Sequence, residues 1–350
     1  MTASMQQRQR LLKTLVFSAR CQIFTCTVTL LLLAAPVGAV AQSAHSSSGA
    51  PLTEQVALQV QGSVYLLAGF GGNVVVQTGS QGTLVVDSGS ALAAELLLSA
   101  IRKIAPDSPI RFVLNTGADP SNIGGNEILR RAGSAIFGGN ISVDDPRGPA
   151  GAIVLAHENV GLRLAAARRS DGAKDDALQP TETFSGDSYD LYFNDEAVRL
   201  MHVPAAHTDA NVIVFFRRSD VVATGDIFST ISYPVIDVQH GGTIDGEIAA
   251  LNLILGLAVP RDKEEGGTII VPGHGRLCDK ADLVEYRDMV TIIRDRVRNM
   301  MRKRLSLQRI LSQRPTYDYD GRFGANAGPW TTEDFVRAIY QTLQPSIQRN

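Results

Sequence analysis

Three short motifs place a histidine or an aspartate directly after a run of β-forming residues. His207 lies in "PAAHTDAN", Asp226 in "ATGDIF" and His274 in "VPGHG". Loops at strand ends are where a rigid sheet can bring side chains together, and imidazole and carboxylate groups are natural ligands for zinc, iron or manganese. Each motif alone would be weak, and the strong part of the signal is their order and spacing after an "NT…GGN" turn, which make these residues candidate metal ligands.

The elements that must position these loops alternate between strands and helices. Short β-rich runs separated by glycine follow one another over residues 56–89, and an amphipathic helix is predicted from Ala91 to Ile104. Further helices are predicted from Ile244 to Leu257 and from Lys280 to Leu311, while residues 168–187 are expected to form a polar surface excursion. This alternation without an internal repeat favours a layered α/β domain.

The order of the motifs resembles that of the metallo-β-lactamase superfamily, in particular its secreted hydrolase-like branch. "TLVVDSG" is similar to the family's early strand with its structural aspartate, here Asp87. The motifs "NIGGNEILRRAG", "AHENV", "HTDAN", "TGDIF", "YPVID" and "PGHG" follow in the family's order. The resemblance runs from about Val56 to about Leu343. It implies an α/β fold, an αββα sandwich of the metallo-β-lactamase type.

The chain departs from the family in the turn "NTGADPSNIGGN", residues 115–126. The family pattern there is H-x-H-x-D-H, and its four ligand positions are occupied by Gly117, Asp119, Ser121 and Asn122. The family's two-metal arrangement implies that Asp119 and His207 remain for the first site, His274 for the second, and Asp226 between them. The usual two-metal site is therefore not expected to form.

Three interpretations of this residue set stay open. Asp119, His207, Asp226 and His274 could hold one ion, zinc before iron or manganese, with an open position for water. The protein would then be a metal-dependent hydrolase of an ester, lactone, thioester or amide. The second interpretation is a non-catalytic pseudoenzyme that needs no cofactor and keeps the fold to bind a ligand. The third is metal-independent acid–base catalysis by the later histidines and aspartate, which no nucleophile motif supports.

The loop "YPVIDVQHGG" is expected to lie at the mouth of the pocket. Its residues Tyr233, Asp237 and His240 are the candidates for contact with the substrate. His157, which is expected to begin a helix, and His202 on a strand are predicted to be structural. A histidine in such a place is more often packed and hydrogen bonded than a ligand.

Residues 1–41 have the pattern of a signal peptide. A basic leading region precedes an apolar run from Ile23 to Val40 and a small-x-small site before Gln42. The protein is therefore expected to be exported, to the periplasm or the extracellular space, without stable membrane association after cleavage. An uncleaved anchor is the alternative, and Pro36 argues against it. Cys278 would be the one thiol of the mature chain and is expected to be a small buried residue.

The composition favours an ordinary globular protein, and the family resemblance implies a small-molecule substrate or ligand as its partner. Hydrophobic residues make up 44% and charged residues 19% of the chain, and the net charge of −2 is accompanied by no basic stripe, so nucleic acid is not an expected partner. The predicted organisation is a signal peptide at residues 1–41, a flexible linker at 42–54, a metallo-β-lactamase-like domain at 55–280 and a C-terminal helical segment at 281–350 packed on that domain.

Overall fold

The structure is a computed structural model that describes residues 55–135, 151–171, 177–263 and 266–348. The predicted signal peptide and linker, residues 1–54, lie outside the described residues. Within the described ranges, no helix is both long enough and apolar enough to cross a membrane.

The strands of the described chain form two sheets. The first sheet has its strands in chain order, antiparallel from β1 to β4 and parallel from β4 to β7. Its strands are β1 (Val56–Gln61), β2 (Val64–Ala68), β3 (Val74–Gly79), β4 (Gly82–Val86), β5 (Ile110–Leu114), β6 (Ile153–His157) and β7 (Glu182–Phe184). The second sheet is antiparallel except for one parallel pair between its last two strands. Its strands are β8 (Ser188–Phe193), β9 (Glu196–Val203), β10 (Asn211–Phe216), β11 (Val221–Ala223) and β12 (Ile269–Val271).

The helices flank the two sheets. In chain order they are α1 (Ala94–Ile104), α2 (Pro120–Ile123), α3 (Asn126–Ala132), α4 (Glu158–Asp171), α5 (Ile244–Leu257), α6 (Lys280–Arg302), α7 (Leu307–Ser312), α8 (Asp320–Phe323) and α9 (Thr332–Gln348). Helices α1 and α3 cover the first sheet, while α5, α6 and α9 contribute to one apolar cluster with the second.

Alternating apolar side chains explain the layers. In β2, Val64 and Leu66 belong to the core between the sheets, and Leu67 belongs to the cluster under α1. In β10, Val214 faces the core between the sheets, whereas Ile213 packs in the cluster of α5, α6 and α9. Because successive strand residues point to opposite faces, both sheets bury both of their faces. The predicted αββα arrangement follows from this pattern and is confirmed.

Three predicted elements differ from the structure. The predicted helix from Lys280 to Leu311 is wrong as one element, because α6 ends at Arg302 and Ser306 begins α7 by accepting a hydrogen bond from a backbone N–H. The predicted excursion over residues 168–187 contains the end of α4 and strand β7, in which Phe184 is buried. His157 ends β6 rather than beginning a helix, and α4 follows directly.

Candidate functional site

Four loops at the ends of strands bring the predicted ligands to one edge of the sandwich. Asp119 precedes α2 in the turn after β5, and His207 lies in the loop after β9. Asp226 sits in a short 3-10 turn, residues 225–227, after β11, and His274 follows β12. Each of these side chains is thus held by a strand whose register is set by the buried core.

Three of the four side chains form a compact set of ligand atoms. One atom each of Asp119, His207 and Asp226 lies within 4.8 Å of the other two. The fourth side chain, His274, joins this set through Asp226, since its Nε2 atom is 3.3 Å from Asp226 Oδ1. The structure therefore brings all four predicted residues together, with His274 in contact with Asp226 and outside the compact set.

His207 is held at both of its ring nitrogens. Its Nδ1 lies 2.7 Å from the carbonyl oxygen of Val235, and its Nε2 lies 2.7 Å from Asp119 Oδ2. Burial works to lower the pKa of His207, but the hydrogen bond and charge of Asp119, with the charge of Asp226, outweigh burial and raise this pKa to about 9. Because both partners are acceptors, His207 is an imidazolium that donates from both nitrogens.

Asp226 carries a buried oxygen that can accept a cation. Its Oδ2 atom has no hydrogen-bond partner among the described residues. Burial opposes ionisation, yet the hydrogen bond from His274 and the charges of His207 and His274 lower the pKa of Asp226 below its ordinary value. An ionised carboxylate with an unbonded buried oxygen, a second carboxylate and, once His207 gives up its Nε2 proton, an imidazole form a donor set that fits one divalent ion of zinc, iron or manganese.

The turn of residues 115–126 keeps a hydrogen-bonded frame independent of any ligand. Asp87 accepts from the backbone N–H of Thr116 at 2.8 Å, from its hydroxyl at 2.6 Å and from the amide of Asn122 at 3.2 Å. A Cβ atom on Gly125 would lie 2.3 Å from the carbonyl oxygen of Ser88. Glycine is needed there for this close backbone approach, and its φ of −93° shows that no left-handed conformation is involved.

A cleft of about 380 Å³ opens over Asp119 and His207. One wall is the loop of residues 235–239, and the other comes from the C-terminal segment, with Trp330 and Arg337. Sequence analysis missed this second wall. The C-terminal segment carries no chemical motif. The amphipathic pattern of α9 predicts that this helix packs on the domain, but it does not predict which residues line a cleft.

The candidates for substrate contact fall in three different places. Asp237 lines the cleft and accepts from the backbone N–H groups of Gln239 and His240, besides contacting the His240 ring. The exposed His240 lines a neighbouring depression on the surface, together with Arg163. Of the three, only Asp237 shares the cleft with the candidate ligands.

Tyr233 lies in the core and not at the mouth of the pocket where it was expected. It is 2% exposed, and its ring stacks on Phe335 with centroids 4.8 Å apart. Its hydroxyl group bonds to the carbonyl oxygen of Thr316 and to Asp320 Oδ1. The aromatic residues of the C-terminal segment cover the side chain that the local sequence placed at a pocket.

The remaining predicted structural residues lie away from the cleft lining. The rings of His157 and His202 stack with centroids 3.6 Å apart, and burial lowers the pKa of His157. Cys278 is 2% exposed, and burial raises the pKa of its thiol to about 12. A thiol with this pKa is a poor nucleophile at neutral pH.

Glu247 on α5 is a buried carboxyl group that sequence analysis did not single out. It is fully buried, and neither of its oxygens has a hydrogen-bond partner in the described ranges. Burial raises its pKa well above the ordinary value. Burial therefore disfavours the ionised form of Glu247, and with it a third negative charge beside those of Asp119 and Asp226.

Comparison with known proteins identifies the fold that carries this site. The family model described as "Metallo-beta-lactamase superfamily" matches residues 67–274, so the helices after His274 lie outside the match. No curated protein matches the chain in sequence. The predicted family resemblance is confirmed.

Solved structures share the architecture at low sequence identity. A metallo-beta-lactamase from Pontibacter korlensis is 14% identical with a TM-score of 0.50, over 68% of this chain and 99% of that one. The DIM-1 metallo-beta-lactamase is 16% identical with a TM-score of 0.50, over 68% and 98%. The stereoselective inverting sec-alkylsulfatase Pisa1 from Pseudomonas sp. is 15% identical with a TM-score of 0.57, over 82% of this chain and 50% of that one. At such identities these likenesses show the fold alone.

Proposed function

We propose that this chain, which belongs to the metallo-beta-lactamase superfamily, is an exported hydrolase that works with a single divalent metal ion. The observation that carries the proposal is the set of ligand atoms from Asp119, His207 and Asp226 within 4.8 Å of one another. Zinc is the first candidate for the ion, followed by iron and manganese. Export rests on the signal-peptide pattern of residues 1–41.

The chain's own residues prepare the site for this chemistry. Asp119, His207 and Asp226 would hold the ion, which would supply Lewis acidity toward water and toward the carbonyl group of an ester, lactone, thioester or amide. Val235 fixes the ring of His207 through Nδ1, so that Nε2 points at the ligand set. To hold the ion, His207 would release its Nε2 proton to solvent, and the hydrogen bond between His207 and Asp119 would be lost. His274 holds the second carboxylate, that of Asp226, in place.

A non-catalytic binding protein is the second candidate function. The observation that favours it is the 2.7 Å hydrogen bond between His207 Nε2 and Asp119 Oδ2, which satisfies both groups without a metal ion. Such a protein would use the same cleft to bind a small molecule and would have no need of the Nε2 lone pair. The two candidates therefore differ in what occupies the space between Asp119, His207 and Asp226.

Elemental analysis of the purified chain after separate reconstitution with zinc, iron and manganese distinguishes them. The hydrolase requires near-stoichiometric retention of one of these ions, its loss in His207→Ala, and its retention in the control His240→Ala, which alters an exposed histidine outside the ligand set. Retention of none of the three ions would reject the hydrolase and leave the binding protein. A loaded chain is then assayed on ester, lactone, thioester and amide substrates, with a chelator-treated sample as the blank.

A further inference from the structure

We infer that the cleft wall formed by the C-terminal segment binds an anionic group of the substrate, with Arg337 as its counter-charge. The substrate class would then be a small organic acid with an apolar or aromatic body. This inference rests on the proposed function, because it concerns the substrate of the same cleft. It starts from two donors on this wall that have no acceptor among the described residues.

Arg337 is a cationic side chain on the wall of the cleft opposite the loop of residues 235–239. It lines the cleft from α9, is partly buried, and makes no hydrogen bond or ion pair with any residue that the structure describes. Its neighbour one turn earlier, Asp334, accepts through Oδ2 from the backbone N–H of Thr331 at 3.0 Å and from its hydroxyl at 2.6 Å. These hydrogen bonds, and after them the charge of Arg337, lower the pKa of Asp334, but no ion pair joins the two side chains. A guanidinium group offers five N–H donors in a planar fork that matches a carboxylate or another oxyanion.

The other acidic groups of the cleft are also committed. Asp119 faces His207 at 2.7 Å, and Asp237 is bonded to the backbone and ring of His240. None of these carboxylates is within ion-pair distance of Arg337 in the described part of the chain. Because a partly desolvated cation gains from a counter-ion, a ligand that carries a negative charge is favoured over a neutral one.

Trp330 provides a second donor on the same wall. Its indole N–H is buried and has no acceptor among the described residues. The side chains of Gln239 and Gln341 also line the cleft, and the ring of Trp330 with Val238 and Ala338 adds apolar surface. Donors beside an apolar surface fit the acid group and the body of an amphiphilic small molecule.

The chain carries a single tryptophan, Trp330, so its emission reports directly on this wall. The probes are phenylacetate and its neutral isostere phenylacetamide, titrated into the chelator-treated chain at neutral pH. We expect a saturable change in Trp330 emission with phenylacetate, and a Kd at least about tenfold lower than that of phenylacetamide. The preference for the anion is expected to disappear in Arg337→Gln and to persist in part in Arg337→Lys.

The matched control is Arg302→Gln, which removes an exposed arginine from α6. This control should keep the wild-type preference for phenylacetate, and an unchanged Tm in each variant shows that folding is intact. If the wild-type chain gives no saturable change, or binds both probes equally, the inference is overturned. The same holds if Arg337→Gln keeps the full preference. Since the chelator removes metal from every sample, a chain that prefers the anion but hydrolyses nothing overturns the proposed function alone.

Discussion

The two sheets contribute to the candidate site in different ways. The turn after β5 in the first sheet keeps its frame but offers one ligand, Asp119, whereas the loops of the second sheet offer His207, Asp226 and His274. The frame of the turn depends on buried hydrogen bonds from Thr116 and its neighbours to Asp87, a residue outside the ligand set. The difference teaches that such a turn can keep its backbone conformation after losing its ligands, because the residues that hold the turn in place are not the residues at the ligand positions.

Removal of His207 should have the largest effect on metal binding, because this side chain is the one imidazole in the compact ligand set. We expect His207→Ala to lower zinc affinity by about a thousandfold, or ~4 kcal/mol, since a missing ligand cannot be replaced from the intact frame of the turn. Competition with a chromogenic chelator measures this. His202→Ala, which alters a histidine stacked on His157 outside the set, should leave the affinity unchanged. Equal losses in the two variants would contradict the assignment.

The pH dependence of the free energy of unfolding tests the pair formed by His207 and Asp119 in the metal-free chain. The pKa of His207 is raised to about 9 from its ordinary value of 6.5. The folded state therefore binds the proton more tightly than the unfolded state. This contribution to stability is complete below about pH 6.5 and is lost as the pH rises through about 9. It amounts to at most ~3 kcal/mol, and solvent screens part of it because the Asp119 side chain is 37% exposed.

Urea unfolding of the chelator-treated chain between pH 6 and pH 10 measures this loss. Asp119→Asn should flatten the dependence, because the carboxylate that holds the proton on His207 is gone. Asp190→Asn, which breaks an exposed pair with Arg199, is the matched control and should leave the slope unchanged. A wild-type chain with constant stability over this interval would show that the pair does not form.

An added side-chain atom within the frame of the turn should destabilise the protein, even at a position that holds no ligand. Gly125→Ala would place a Cβ atom 2.3 Å from the Ser88 carbonyl oxygen, and the backbone must shift to relieve that contact. We expect a loss of about 2 kcal/mol in the free energy of unfolding. Gly256→Ala on α5 meets nothing within 4 Å and should be neutral or slightly stabilising. A neutral Gly125→Ala would mean that the turn is looser than the structure indicates.

The order of motifs was sufficient to predict the family and the layers, and it singled out the candidate ligands that the structure brings together. Strand-end loops are encoded locally, so His207, Asp226 and His274 could be found from "HTDAN", "TGDIF" and "PGHG".

Contacts made by the C-terminal segment were not predictable in the same way. Tyr233 lies four residues before Asp237, yet Phe335 and Asp320 cover it, and only Asp237 reaches the cleft. Arg337 meets the cleft because α9 packs in the cluster of the second sheet, a tertiary contact that leaves no local signal. Helices and strands can be predicted from the periodicity of hydrophobic residues, whereas the side chains that a helix contacts are decided by tertiary packing.

Placing a histidine at the first ligand position of the turn should have the smallest effect on zinc affinity. It is also the most direct test of whether the turn after β5 differs from the loops of the second sheet only in its ligands. A Cβ atom at residue 117 would lie 3.1 Å from Asn122 Oδ1 and 3.6 Å from Asn211 Nδ2, so that only side chains need to yield. Because the frame is intact, we expect Gly117→His to raise zinc affinity by about tenfold, or ~1.4 kcal/mol. The control Gly117→Ala imposes the same Cβ contact without a ligand and should give no gain. If the affinity of Gly117→His equals that of the control, the turn has lost the geometry as well as the ligands, and frame and ligands are not separable here.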